Sequence, residues 1–191
     1  MSDDAIGKRG RSLEDEYFRR KDRELIEKVR KAAAAEQAQK DLGRSVGLDD
    51  PELLQQLSAL GFTPETVALL PLVPVLEVAW AEGGITNAER DLLVRLARSR
   101  GVNAGTPADQ MLSTWLAHAP SEAVFAGARR LIRAMLDSGS SQSADLHADD
   151  LVKQCEEIAS ASGGIFGIGR ISAEEKALLT SIAADLNARR G

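Results

Sequence analysis

The sequence has very few of the residues on which most enzyme active sites depend. Its 191 residues include one cysteine, Cys155, and two histidines, His118 and His147. A single cysteine can form neither an internal disulfide nor a zinc–thiolate cluster. Neither Cys155 nor His118 has a catalytic partner at a recognisable spacing, so we expect both to lie in or near the core. We therefore predict a non-enzymatic protein.

Aromatic residues and long apolar runs are also scarce. Aromatics make up 4% of the chain, whereas hydrophobic residues make up 43%, which is enough to build a core from Leu, Ala, Val and Ile. No apolar run reaches the length of a membrane-spanning helix, and the acidic start Met1-Ser2-Asp3-Asp4 is unlike a signal peptide. These absences predict a cytoplasmic protein with no transmembrane segment.

Charge is distributed unevenly along the chain. Residues 1–31 contain 10 basic and 8 acidic residues, a net charge of +2, whereas the remaining 160 have a net charge of −7. The acidic part would repel nucleic acid and anionic lipid. We predict no nucleic-acid binding, and we expect any binding through charge to use the N-terminal segment.

The helical signals predict an all-α protein, because no segment alternates with period two for the length of a strand. Proline follows a capping residue at Asp50-Pro51, Thr63-Pro64 and Thr106-Pro107, as is typical of a first helical turn. Pro71 and Pro74 should kink or break the apolar run in which they lie. We predict helices near 50–60, 64–82, 87–100, 107–118, 121–137, 146–161 and 173–189.

A further helix is predicted over Ser12–Lys40, a stretch without Gly or Pro. Ser12 is the expected N-cap, and Gly43 and Gly47 should end the helix. Six consecutive charged residues at 19–24 interrupt its apolar positions, so it has too little apolar surface for a core element. We expect a projecting arm over 1–42, stabilised by the i,i+4 pairs Glu24–Lys28 and Glu27–Lys31, and a helical domain over 43–191.

Two parts of the predicted domain resemble each other. Ile85-Thr86-x-x-Glu89 recurs 86 residues later as Ile171-Ser172-x-x-Glu175, and both are capping boxes. A glycine pair precedes each box, at Gly83-Gly84 and at Gly163-Gly164. We therefore expect a helical bundle built on a helix–loop–helix pseudo-repeat.

The repeated Ala-x-Ala-Glu-Gly-Gly-Ile-Thr-x-x-Glu arrangement resembles the TerB-like (tellurite resistance) helical domain over about 64–189. This resemblance implies a stress-response role and, through loop carboxylates, a site for a divalent metal. Glu82, Glu89 and Glu175 occupy the corresponding positions, whereas Ser162 replaces the partner of Glu82. The alternative is that Glu89 and Glu175 act only as capping acids.

The N-terminal segment resembles the inhibitory helix of the mitochondrial ATPase inhibitor family. The resemblance rests on Gly7-Lys8-Arg9, Glu14-Asp15-Glu16 and Tyr17-Phe18-Arg19, and it continues to Arg30-Lys31 without a gap. It implies a helix that enters an F-type ATPase and stops its rotation. The residues that would contact the partner are Glu14, Glu16, Tyr17, Phe18, Arg19, Lys21, Leu25, Val29 and Arg30.

Other interpretations of the same features remain. The arm can bind an unrelated protein, pair with a second copy of the chain as a homodimer, or pack on the rest of the protein. No histidine precedes His118, so the pH switch of the ATPase inhibitors is not expected. On a later helix, Arg129, Arg130 and Arg133 form a basic patch that we interpret as a salt-bridged surface.

Overall fold

The structure is a computed structural model that describes residues 3–138, 147–161 and 172–187, with the backbone alone for 3–15 and 138. Within these ranges it contains helices and no β-strand, which confirms the predicted all-α fold. The helices are α1 (Asp3–Val46), α2 (Pro51–Ala59), a 3₁₀ helix (Val67–Leu72), α3 (Val73–Ala79), α4 (Asn87–Ser99), α5 (Pro107–Ala117), α6 (Glu122–Ser138), α7 (Ala148–Ala161) and α8 (Ala173–Asn187).

Most helices begin where the sequence predicts. Asp50 accepts the backbone N–H of Glu52 at 2.9 Å at the start of α2, and Thr106 caps α5 through the N–H of Asp109 at 3.3 Å. Both are the side-chain-to-backbone bonds that satisfy the free N–H groups of a first turn. The prediction at Thr63-Pro64 is wrong, because residues 64–66 form a turn and the 3₁₀ helix begins at Val67.

Pro71 and Pro74 divide the apolar run as expected. Pro71 lies inside the 3₁₀ helix, and Pro74 is in the first turn of α3, where its missing N–H leaves no intrahelical bond unmade. The chain therefore passes from a 3₁₀ helix into an α-helix between the two prolines. Glu77 is the one charged residue of the otherwise apolar α3.

Three helices end in the same glycine-dependent way. At the ends of α1, α2 and α4, a glycine with positive φ is followed by an apolar residue whose N–H donates back to a carbonyl five positions earlier. The three donor–acceptor pairs are Leu48 to Gly43, Phe62 to Leu57 and Val102 to Ala97, at 3.0, 3.1 and 3.0 Å. This is the Schellman arrangement, and all three donors bury their side chains in the core.

Two sequence expectations for α1 are wrong. The helix begins at Asp3 rather than after a cap at Ser12, and it continues through Gly43 to Val46. Gly43 does not adopt positive φ, so it does not break the helix; Gly47 does, with φ of 65°, and it ends it. A Cβ at Gly43 would lie 2.7 Å from the carbonyl oxygen of Leu48. Gly43 therefore permits a close approach of the chain, and Gly47 provides the turn.

The chain divides into two compact units, which we call the arm (Met1–Lys40) and the body (Asp41–Gly191). The last turn of α1 belongs to the body, where Leu42 and Val46 are buried. Within the body, α3 packs on α6 and α7, and α8 packs on α6 and α7 as well. None of the helices in the described residues is long and apolar enough to cross a membrane.

The pseudo-repeat appears as two helix–loop–helix units, α3–α4 and α7–α8, with the second loop outside the described residues. Both second helices begin with a capping box, but they bury different faces. Helix α4 buries Leu93 and Ala97, whereas α8 buries Ile182 and Leu186. Ile182 corresponds to Leu96 of the first unit, which is only half-buried. The two units thus have the same capping box at the start of the second helix, but they bury different positions of that helix in the core.

Candidate partner-binding surface

The exposed large hydrophobic side chains that the structure describes all lie on α1, between residues 17 and 29. Phe18 is 61% exposed and Leu25 is 60% exposed. Tyr17, Ile26 and Val29 are also at least about half exposed. Isolated apolar residues on a surface are ordinary, but a group confined to one short stretch of helix indicates an interaction surface.

Helical geometry brings part of this group together. Phe18, Leu25 and Val29 are spaced by seven and then four residues, so they lie on one face, and Ile26 lies at its edge. We call these four residues the apolar stripe. Because α1 has 3.6 residues per turn, Tyr17 lies on the side of the stripe opposite Ile26.

Tyr17 is nevertheless held near the stripe by contacts along the helix. Its ring meets the ring of Phe18 edge-on, with centroids 5.8 Å apart. The charged ends of Arg20 and Lys21 each lie 5.9 Å from the Tyr17 ring centroid. Such contacts at exposed positions contribute about 0.5–1 kcal/mol. Tyr17 and Phe18 thus present one continuous aromatic surface.

Of the charged residues predicted to contact a partner, those whose side chains the structure describes are exposed. Lys21 contacts Glu24 at 3.3 Å and Lys31 contacts Glu27 at 3.1 Å. The predicted Glu27–Lys31 pair is confirmed, whereas Glu24 pairs with Lys21 rather than with Lys28, since neighbours at three and four positions compete. Exposed pairs contribute about 0–1 kcal/mol, so a partner can replace them at little cost.

The remaining predicted contact residues are Glu14, Glu16, Arg19 and Arg30. Glu16, Arg19 and Arg30 have exposed side chains on α1. Glu14 lies on the helix, but its side chain is outside the described part of the structure. The predicted partner-binding residues therefore share one helix without sharing one face.

The three predicted metal ligands lie in different environments: two are buried capping residues and one is exposed. Glu89 is buried and accepts the Thr86 N–H and hydroxyl, both at 2.7 Å. Glu175, also buried, accepts the N–H of Ser172 at 2.7 Å, so both capping boxes are confirmed. Glu82 is exposed. Among the residues that the structure describes, no three His, Cys, Asp or Glu side chains form a group that could hold a metal ion. Metal binding by Glu82, Glu89 and Glu175 stays a prediction.

Sequence reasoning missed an ionic cluster inside the body. Arg129 on α6 contacts Glu77 on α3 at 2.8 Å and Asp185 on α8 at 3.2 Å. Burial raises the pKa of Glu77, against the opposing attraction of Arg129. A carboxylate within an otherwise apolar run was the available signal, since such a group needs a cationic partner.

The predicted Arg129–Arg130–Arg133 patch is therefore divided. Arg129 joins three helices through its ion pairs, whereas Arg130 and Arg133 line an open groove of about 650 Å³. Asp49, Asp50, Glu52 and Asp137 line the same groove, and Asp50 already caps α2. The groove mixes both signs of charge, which favours neither an anionic nor a cationic ligand.

The two residues expected in the core behave differently. Cys155 is buried, as predicted, and burial raises the pKa of its thiol to about 12. It is therefore protonated at neutral pH and a poor nucleophile. His118 is exposed at the end of α5, so its predicted place in the core is wrong.

The chain matches no protein-family model, no curated protein and no solved structure. The resemblances to TerB-like domains and to ATPase inhibitors remain predictions based on the residues quoted above.

Proposed function

We propose that the protein is a non-enzymatic regulator whose α1 binds a protein partner through the apolar stripe. The observation that supports this most strongly is the confinement of the exposed large hydrophobic side chains to residues 17–29 of the described chain. Fully burying each such side chain contributes about 1.5–3 kcal/mol. In the free chain this stabilisation is unused, and a partner groove would supply it.

The residues have distinct roles in this proposal. Phe18, Leu25 and Val29 are the anchors that enter the groove, and Tyr17 extends the contact at its N-terminal end. Arg19, Lys21 and Arg30 flank the anchors and meet acidic groups of the partner. Glu14 and Glu16 are proposed to meet basic groups of a crevice that surrounds the helix, since Glu16 lies on the face opposite the anchors. A buried aromatic anchor with a polar rim is the usual arrangement of a tight helix–protein contact.

An F-type ATPase is the specific partner that we propose. The support is the ungapped resemblance of residues 7–31 to the inhibitory helix of the mitochondrial ATPase inhibitor family. In the proposal α1 enters the crevice between catalytic subunits and blocks rotation. A cytoplasmic site of action is part of the same proposal.

The experiment measures ATP hydrolysis by a purified F-type ATPase as full-length protein is titrated in. The test variant is Phe18→Ala/Leu25→Ala, which removes two anchors. The matched control is Arg20→Ala/Lys31→Ala, which shortens two exposed side chains on the opposite face of the same helix. We expect the wild type and the control to inhibit, and the anchor variant to inhibit at least about tenfold more weakly.

Two results would contradict the proposal in different ways. If the wild type does not inhibit, the F-type ATPase is the wrong partner. If the anchor and control variants inhibit equally, the apolar stripe is not the contact surface. Size-exclusion chromatography of the wild type and the anchor variant tests the remaining alternative, in which the apolar stripe binds a second copy of the chain. A dimer that the anchor substitutions dissociate would show that the stripe is a homodimer interface.

A further inference from the structure

On α1, basic residues border the apolar stripe, and most acidic residues lie on the opposite face. On a helix of 3.6 residues per turn, one side of the stripe is flanked by Arg19, Arg23 and Arg30. The other side is flanked by Lys21 and Lys28. Both flanks therefore carry basic residues between positions 19 and 30, and Lys21 also contacts Glu24 at 3.3 Å.

The acidic residues lie mostly on the far face of the same helix. Glu16, Glu24 and Glu27 occupy this face together with Arg20 and Lys31, and the Lys31–Glu27 contact of 3.1 Å neutralises part of it. Asp22 is the exception, since it lies between Phe18 and Ile26 on the apolar side. Residues 16–31 contain seven basic and four acidic residues, which gives a net charge of +3.

We propose that α1 lies on anionic lipid surfaces, with the apolar stripe in the acyl boundary and both basic flanks at the headgroups. An apolar face bordered by Lys and Arg, with a charged opposite face, is the pattern of an interfacial helix. Lys and Arg reach sideways to the headgroups while their stems cover apolar surface. Tyr17, beside the stripe, has the amphipathic ring that favours the interface.

The arrangement of charge on α1 favours an anionic lipid surface over a second copy of the chain as the binding partner of the apolar stripe. A second copy of the chain would bring like-charged flanks together, which is destabilising. A planar anionic surface instead meets both flanks at once and leaves Glu16, Glu24 and Glu27 facing water, so that Asp22 is the one acidic residue of 16–31 on the lipid side. This proposal is independent of the protein partner, and because both use the apolar stripe, lipid and partner would exclude each other.

The experiment is co-sedimentation of the full chain with two kinds of vesicle. One contains phosphatidylcholine alone, and the other contains equal amounts of phosphatidylcholine and phosphatidylserine. We expect binding to the anionic vesicles at least about tenfold stronger than to the neutral ones, because each Lys or Arg near such a surface adds favourable energy. Salt at about 1 M should weaken it strongly, since the screening length falls to about 3 Å.

Two charge-reversal variants test whether the basic flanks of the apolar stripe, rather than the far face of α1, contact the lipid headgroups. Lys21→Glu/Lys28→Glu reverses a flank, and Arg20→Glu/Lys31→Glu reverses the far face. Each changes the net charge equally, removes one ion pair and removes one cation beside Tyr17. The flank variant should lose at least about tenfold more affinity for anionic vesicles than the control. Asp22→Asn should bind about fivefold more tightly, because it removes the acidic group on the apolar side.

Each contrary result overturns a stated part of the proposal. Equal losses in the two variants would show attraction by net charge alone. Equal binding to both kinds of vesicle would remove the role of the basic flanks. No binding to anionic vesicles overturns the lipid proposal outright, and the separate ATPase titration then shows whether the stripe serves a protein. Circular dichroism of each variant confirms that the helix content is unchanged.

Discussion

Residue types that are exposed in the arm are buried in the body. Phe18 on the arm is 61% exposed, whereas Phe62 in the body is 2% exposed and lies 6.0 Å, centroid to centroid, from the ring of Trp115. Leu25 and Leu93 form a similar pair, since both lie on helices and only Leu93 is fully buried. In the body these side chains stabilise the fold. In the arm they remain available for binding.

The difference shows that burial of apolar side chains stabilises the fold of the body, whereas the same side chains in the arm contribute little to folding. The body needs its apolar residues to offset the conformational entropy lost on folding. The apolar stripe of α1 contributes little to that, because its side chains stay in water. Substitutions there should leave stability unchanged and change binding, whereas substitutions in the body should do the reverse.

The largest expected effect is the contrast between Leu93→Ala and Leu25→Ala. Leu93→Ala should lower the free energy of unfolding by about 2–5 kcal/mol, because it removes buried methyl groups and leaves a cavity. Leu25→Ala should change it by less than about 0.5 kcal/mol. Urea denaturation of the two full-length variants measures both. Similar losses would mean that the apolar stripe is part of the core.

The next effect concerns Gly43, at the end of α1 that belongs to the body. Alanine normally stabilises the interior of a helix relative to glycine by about 0.5–1 kcal/mol. At Gly43 the added Cβ would lie 2.7 Å from the Leu48 carbonyl oxygen, so Gly43→Ala should instead destabilise by about 1–3 kcal/mol. Thermal unfolding gives the sign. A stabilised variant would show that the close approach is absent in solution.

A smaller effect tests whether Glu89 is a capping acid. Thr86→Ala should cost about 1 kcal/mol, because the N–H of Glu89 loses its acceptor. Glu89→Gln should cost less, since glutamine also completes a capping box. Melting temperatures with and without calcium, magnesium or manganese separate the two interpretations. A metal that raises the wild-type melting temperature but not that of Glu89→Gln would show that Glu89 is a ligand.

The smallest effect is a change in pH dependence caused by Glu77. Because burial raises its folded pKa above the ordinary 4.5, the folded state holds this proton more tightly than the unfolded state. The resulting stabilisation is fully present below 4.5 and is lost as pH rises through the folded pKa. Glu77→Gln removes that loss, so its stability relative to wild type should rise from acid to neutral pH. Urea midpoints across this range measure it, and a flat or falling difference would contradict the raised pKa.

The sequence predicts those features of the fold that depend on a few neighbouring residues. Both capping boxes and the starts of α2 and α5 are local, because one side chain and two or three backbone groups determine them. The break between Pro71 and Pro74 is local for the same reason. The exposed stripe was also predictable, since six charged residues leave α1 too little apolar surface for a core.

At two positions of the body the structure differs from, or adds to, the sequence prediction. Gly43 does not break α1, because the turn at Gly47 brings the carbonyl oxygen of Leu48 back against it. The ion pairs of Arg129 agree with the predicted salt-bridged surface, but its partners Glu77 and Asp185 lie on two other helices, which no local sequence pattern indicates. The glycine–apolar pairs at 47–48, 61–62 and 101–102 are a local sequence signal for the ends of α1, α2 and α4, because each glycine has positive φ and the next side chain is buried.

Hydrogen exchange of the full chain, alone and with a purified F-type ATPase, shows whether α1 is the binding element. We expect the ATPase to slow the exchange of backbone amides in residues 16–31 and to leave the exchange in the core helices α3 and α6 unchanged. Slowed exchange confined to the body, or no change in residues 16–31, would contradict the claim that α1 is the binding element for this partner.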